Sequence, residues 1–308
     1  MRLLRSNTKG RCAQTIKTFL LCGLVLCPLS ARAWTYDAAN SGSSTTHDVQ
    51  MRVGADFSKK WQNGVGLHIE EDLRFDLGGQ TSALAGSSAT PTVSAVTPCF
   101  NKSYTTLSVS YKHPRFPYLK VDAGYTLKIL GTKDWAYVDK WMRHRVTFGV
   151  TGSYRYENWS FSLRERFQTE IRMGDIDQLT QNSVTYYEHN RATWYMRSKV
   201  QVAYHVMSKP VKPYVWCELV NTLNATELER VYANNDPANG NGQQYIRRVR
   251  TSAGVVWRLT RRSSLDFYYR FNYGYDRDVN IKPNKGIIIL TEEKSFQHAI
   301  GIAYHFGM

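Results

Sequence analysis

Two short strings carry most of the chemistry open to this chain. Glu70-Glu71-Asp72-Leu73-Arg74-Phe75 and Leu163-Arg164-Glu165-Arg166-Phe167 set carboxylates within a few residues of guanidiniums. Such groups can lock into charge-assisted pairs, or a surplus of arginine can draw in anions. Arg143, Arg145, Arg248, Arg250, Asp266 and Arg270 extend the same theme. A rigidifying ion-pair network is the plainer expectation, because charge clusters gather in structural networks as well as in catalytic sites.

Catalysis has thinner support. His144 or His298 with a nearby hydroxyl such as Ser198 could serve an acyl hydrolase working on lipid. Glu188-His189-Asn190 is a weaker hit. A nucleophile elbow and metal-ligand spacing are both missing, and a lone histidine is usually a structural hydrogen-bonding group. The expectation is therefore no catalytic residue, no metal and no cofactor, with a membrane-embedded lipid enzyme as the alternative.

What must hold these charges is a set of strands. Apolar and polar residues alternate with period two, the mark of a strand whose faces meet different surroundings. Val49, Met51, Val53, Ala55 and Phe57 alternate with Gln50, Arg52, Gly54 and Asp56. Leu265, Phe267, Tyr269, Phe271 and Tyr273 alternate with Asp266, Tyr268, Arg270 and Asn272. Strands are expected near 49–57, 65–77, 103–111, 118–129, 142–154, 159–171, 192–204, 214–223, 245–259, 264–275 and 294–306. Many match the roughly 9–11 residues that a tilted strand needs to cross a bilayer.

Short and long connections alternate along the chain, as in bacterial outer-membrane barrels. The pattern predicts an all-β, up-and-down antiparallel transmembrane barrel over 34–308. Such barrels use even strand numbers, so eleven is rejected. Adding Trp34, Tyr36 and Ala38 as a first strand gives twelve, and leaving out 49–57 gives ten.

A soluble β-protein also alternates, but its apolar face points inward. Here the aromatics Phe57, Tyr111, Tyr154, Trp159, Tyr204, Trp257 and Phe306 all sit beside the short turns. That is the pattern of a membrane-interface girdle. The charged face is then the lumen, lined by Arg74, Glu71, Arg143, Arg145, Arg164, Glu165, Arg166, Arg248, Arg250, Asp266 and Arg270. Glu165 is out of phase, since it aligns with Phe161, Leu163 and Phe167. A β-bulge would shift the phase by one residue and turn it inward.

The first 33 residues read as a signal peptide. Arg2, Arg5, Lys9, Arg11 and Lys17 precede an apolar run from Phe19 to Leu29, then Ala31-Arg32-Ala33. A basic start, a short apolar centre and small residues at the cut site define such a segment. A lipoprotein site at Cys27 is the rival. Cleavage removes six of the 40 basic residues and no acid, leaving 34 against 25 acids, a charge of +9. Export makes nucleic acid an unsuitable partner for that charge. The partners expected are outer-membrane lipid, lipopolysaccharide and the barrel-assembly machinery. Cys99 and Cys217 survive cleavage, and their placement in a loop and a strand favours two unpaired thiols over a bridge.

The strings from Arg143 to Gln168, Tyr195 to Tyr204, Lys212 to Leu219 and Ser263 to Phe271 resemble the bacterial family named domain of unknown function 2490. The segment with Trp61 and Glu70 to Phe75 is similar to that family's first hairpin. The resemblance implies an outer-membrane barrel and brings no substrate or catalytic residue. Outer-membrane barrels commonly end on an aromatic residue, whereas here Gly307 and Met308 follow Phe306. The function expected is a non-enzymatic barrel, either structural or a narrow pore that prefers anions.

Overall fold

The computed structural model describes residues 42–82, 92–93, 99–131, 142–173, 178–181, 184–187, 190–207, 209–224, 226, 245–282 and 287–308. The signal peptide expected at 1–33, the strand expected at Trp34 to Ala38, and most of Glu188-His189-Asn190 lie outside the described residues.

Fourteen strands appear, and the described residues contain no helix. They are β1 (Gly42–Lys60), β2 (Val65–Ser82), β3 (Thr92–Val93), β4 (Cys99–Lys112), β5 (Leu119–Leu130), β6 (Met142–Tyr156) and β7 (Trp159–Arg172). There follow β8 (Gln178–Gln181), β9 (Val184–Tyr187), β10 (Ala192–Tyr204), β11 (Val211–Thr222), β12 (Tyr245–Arg258), β13 (Ser263–Lys282) and β14 (Ile287–Gly307). Each of the eleven segments marked by alternation is a strand. The short β3 pairs with β2, and β8 with β9 forms a separate hairpin within the connection from β7 to β10.

The eleven long strands pair in order, and β1 pairs with both β2 and β14, so the ring is closed. Neighbours are antiparallel except at one seam. There β1 and β14 run parallel, from Gly42 opposite Thr291 to Ser58 opposite Gly307. This corrects the expected strand number: the described residues close with eleven strands, neither twelve nor ten. The parity argument assumed that every pair is antiparallel, and one parallel pair removes that requirement. The gap between the strands expected at 264–275 and 294–306 also shrinks, because β13 and β14 extend until only 283–286 lies between them.

Five connections at one end are tight. Between β6 and β7 only two residues turn the chain, with Glu157 at φ 50°. Gly64, at φ 86°, closes the turn after β1, where a Cβ would meet the Lys112 carbonyl oxygen at 2.2 Å. The other end carries the longer connections, apart from the four residues between β13 and β14.

The burial pattern is inverted relative to a water-soluble barrel. Val109, Phe148, Val200, Val215 and Ile300 are each half exposed or more on the outer wall. The buried set is instead mostly polar, including Gln50, Arg52, Asp72, Asp122, Thr147, Gln168, Glu170 and Glu218. Seven aromatics lie on the outer wall at the tight-turn end, as the sequence pattern requires. Phe57 stacks on Phe306 across the seam with centroids 6.1 Å apart, and Trp159 meets Tyr204 at 4.9 Å. Tyr111, Tyr154 and Trp257 are exposed there.

Candidate functional site: a cationic lumen

Alternation points every second side chain of each strand into the ring. Because the strands are in register, inward charges on neighbouring strands meet at the same height. Three carboxylates organise the middle of the lumen. Glu218 on β11 accepts from Arg164 at 3.3 Å, Arg197 at 2.9 Å and Arg250 at 3.1 Å. Glu170 on β7 takes Lys128 at 3.4 Å, Arg143 at 3.1 Å and Arg145 at 2.5 Å. Asp72 on β2 holds Arg74 at 2.9 Å and also pairs with Arg52. Arg166 on β7 donates to Asp122 on β5 at 2.7 Å, passing over β6 at Gly149.

Glu218 staples four strands and Glu170 three, and the Asp122–Arg166 pair reaches over β6, whereas Asp72 joins only β1 and β2. Glycines on the inner face give the room. A Cβ at Gly149 would lie 2.8 Å from Asp122 Oδ1, and one at Gly301 would meet the Tyr268 ring at 2.2 Å.

Aromatic rings fill the gaps between cations. Arg74 lies over Tyr104 at 4.1 Å, with Arg145 near the same ring at 4.9 Å. Lys199 lies over Trp216 at 4.2 Å, and Arg270 approaches Trp216 and Tyr268 at 5.0 Å each. The ring quadrupole offsets part of the cost of holding a cation away from bulk water.

At the tight-turn end the inner wall changes character. Asp56 stands between His68 at 3.2 Å and His305 at 3.4 Å. His305 also faces Asp266 at 3.9 Å, and Tyr214 Oη donates to Asp266 at 2.9 Å. This chain of groups crosses the parallel seam. His205, in the turn after β10, is held below the ordinary imidazole range by desolvation and then by Lys212, Arg155 and Arg258. The turn-side rim is therefore basic as well.

At the longer-connection end a recess of about 80 Å³ opens among β5, β6, β7, β10, β11 and β12. Seven basic side chains line it, namely Lys128, Arg143, Arg145, Arg197, Arg247, Arg248 and Arg250, with Glu170 as its one lining carboxylate. Arg74 on β2 adds to this cationic lining from the side, since it shares the Tyr104 ring with Arg145. The lumen is thus narrowed by side chains and carries more cations than carboxylates.

The structure places Arg74, Arg143, Arg145, Arg164, Arg166, Arg248, Arg250, Asp266 and Arg270 on the inner face of the ring, and Glu71 and Glu165 on the outer face. The β7 ladders run through Glu165 without a bulge. Its side chain stays on the outer wall and accepts from Ser198 Oγ at 2.6 Å. Glu71 is likewise outside, bonded to Thr105 Oγ1 at 2.5 Å. A hydroxyl on the adjacent strand supports each carboxylate, which removes the need for an inward turn. The residues that the sequence reading left out, Glu170, Asp72, Asp122 and Arg197, all sit on the polar phase of their strands. Strict parity would have named them.

The candidate hydrolase groups are not brought together. His144 is hydrogen-bonded to Tyr125 at 2.5 Å and His298 to Tyr269 at 2.6 Å, while Ser198 is engaged by Glu165. Cys217 is a free thiol on the outer wall. Among the described residues no group of three or more His, Cys, Asp or Glu side chains could hold a metal ion.

No curated protein matches the chain. Among solved structures it is similar to one described as "NanC porin structure in rhombohedral crystal form". The two are 14% identical, with 82% of this chain and 91% of that chain covered and a TM-score of 0.40. The family model for proteins of unknown function (DUF2490) matches residues 37–281, most of the sequence. By that match the chain belongs to the DUF2490 family.

Proposed function

We propose that this protein is a narrow, anion-preferring pore of the outer membrane, delivered there after cleavage of the signal peptide at 1–33. The outer wall of apolar and aromatic side chains suits the hydrocarbon of a bilayer, with the tight-turn aromatics at one headgroup layer. The barrel-assembly machinery and lipopolysaccharide are its expected partners on that reading. One observation carries the preference for anions: the surplus of cations over carboxylates on the inner wall, densest at the recess. A pore lined by fixed positive charge admits anions and repels cations.

Planar-bilayer recording tests this. Purified protein under a KCl gradient is expected to show small conductance steps and a reversal potential of the sign set by chloride. A protein that shows heat-modifiable migration on gels, and so is folded, yet gives no conductance would instead be a closed structural barrel.

A further inference from the structure

We propose that the recess beside β12 binds a compact polyvalent oxyanion, one with two or more anionic groups, such as a diphosphate or a tricarboxylate. This rests on the reading of the lumen as an anion path and names what the path would hold.

The backbone is the first support. Val220 pairs with Arg248, but the next residue, Asn221, pairs with Ile246. Arg247 is therefore an extra residue on β12, a β-bulge. Without it, neighbouring residues on a strand point to opposite walls. With it, Arg247 and Arg248 both line the recess, while Ile246 is 45% exposed on the outer wall. Bulges re-aim side chains and recur beside functional sites.

The second support is charge. Two adjacent guanidiniums join five other cations, and the nearby carboxylates already carry several partners each. Glu170 serves three cations and Glu218 another three. Arg247 bonds to Tyr195 Oη at 2.6 Å and pairs with Asp276. Arg248 has no carboxylate within ion-pair distance among the described residues. Like charges crowded away from bulk water repel strongly, so the arrangement is complete only when an anion joins it.

Hydrogen-bond supply is the third. Nε of Arg143 and of Arg197 is buried without a partner. A buried donor without an acceptor carries a penalty that an oxygen ligand would remove. Guanidinium forks match the planar or tetrahedral oxygens of carboxylate and phosphate. The recess offers about 80 Å³, room for a compact ion and less than a drug-sized ligand needs. A monovalent anion offsets one charge and meets one fork, whereas a polyvalent one can bridge Arg248 to Arg143 or Arg197, which line the same recess.

Calorimetric titration of the full-length mature protein in detergent, with inorganic pyrophosphate as the probe, tests the site without need of conductance. Saturable binding is expected, with acetate at matched ionic strength giving none. Arg248→Gln should weaken pyrophosphate binding about tenfold, the loss of a charged hydrogen bond. Arg258→Gln, at the other end of β12, should leave it unchanged. Should Arg248→Gln fail to fold, Arg143→Gln, judged by heat-modifiable migration, takes its place with the same expected loss. No saturable binding to folded protein, or an equal loss in Arg258→Gln, overturns the site. Binding without conductance overturns the pore and leaves the site standing, and selective conductance without binding does the reverse.

Discussion

Glu165 accepts a 2.6 Å hydrogen bond from Ser198 Oγ on the outer wall, whereas Glu218, inside, is gripped by three arginines. The two carboxylates should therefore respond differently to loss of charge. Glu165→Gln keeps an acceptor for Ser198 and removes an ion from the apolar side, so stability should change by less than about 1 kcal/mol. Glu218→Gln leaves several buried cations short of a partner and should cost about 3–5 kcal/mol. Urea unfolding in lipid vesicles compares them, and equal midpoints would contradict the assigned faces.

The outer wall should reject charge where the inner wall accepts it. Val255 is 40% exposed outside, and Gln201 faces the lumen beside Trp216. Val255→Arg is expected to lose about 1–2 kcal/mol, because the penalty for an arginine falls from about 2–4 kcal/mol at mid-bilayer toward the headgroup layer that Trp257 marks. Gln201→Arg should assemble nearly as the parent. Recovery of heat-modifiable protein from membranes measures both, and similar yields would show the faces to be reversed.

Gly149 makes space for the Asp122–Arg166 pair, since a Cβ there would sit 2.8 Å from Asp122 Oδ1. Gly149→Ala should destabilise by about 1–3 kcal/mol through overpacking. In an Asp122→Ser background most of that loss should vanish, because the clashing atoms are gone. An additive double-variant cycle would refute the contact.

Cys217 offers a direct probe of what surrounds the barrel. It is exposed on the outer wall between Val200 and Thr251. In a Cys99→Ser background, a nitroxide on Cys217 in reconstituted protein should collide more with oxygen than with a water-soluble nickel complex. The opposite ranking would mean that this wall faces water.

Strand positions and faces were legible in the sequence because side chains alternate strictly along a strand. From Val49 to Phe57 and from Leu265 to Tyr273, each residue faces as its phase requires. The seam was not legible. Whether β1 meets β14 parallel or through another strand depends on a contact between segments far apart in sequence, which local pattern does not encode. Glu71 and Glu165 were misplaced for a different reason. Their phase points outward, whereas the cost of a charge facing lipid argues for the lumen. Thr105 and Ser198, which make the outward position tolerable, lie on other strands and are found only once the register is known. The bulge at Arg247 was hidden in the same way, because consecutive arginines read as one in and one out.

The parallel seam also sets an order in time. Every other contact of the ring joins strands that follow one another in the chain, apart from the short β3 and the β8–β9 hairpin. The seam alone joins the first strand to the last, Gly42 with Thr291. Contacts so distant in sequence form slowly, after the local ones have paid their loop entropy. Until β14 is in place, β1 presents a long bare edge of the kind that invites pairing with other chains. Closure is thus the final step of assembly, held at one end by His47 on Phe296 and at the other by Phe57 on Phe306. A substitution such as Phe57→Ala should shorten the life of the closed ring and barely slow its formation, as expected for a contact made after the transition state. Stopped-flow refolding and unfolding into vesicles would resolve the two rates.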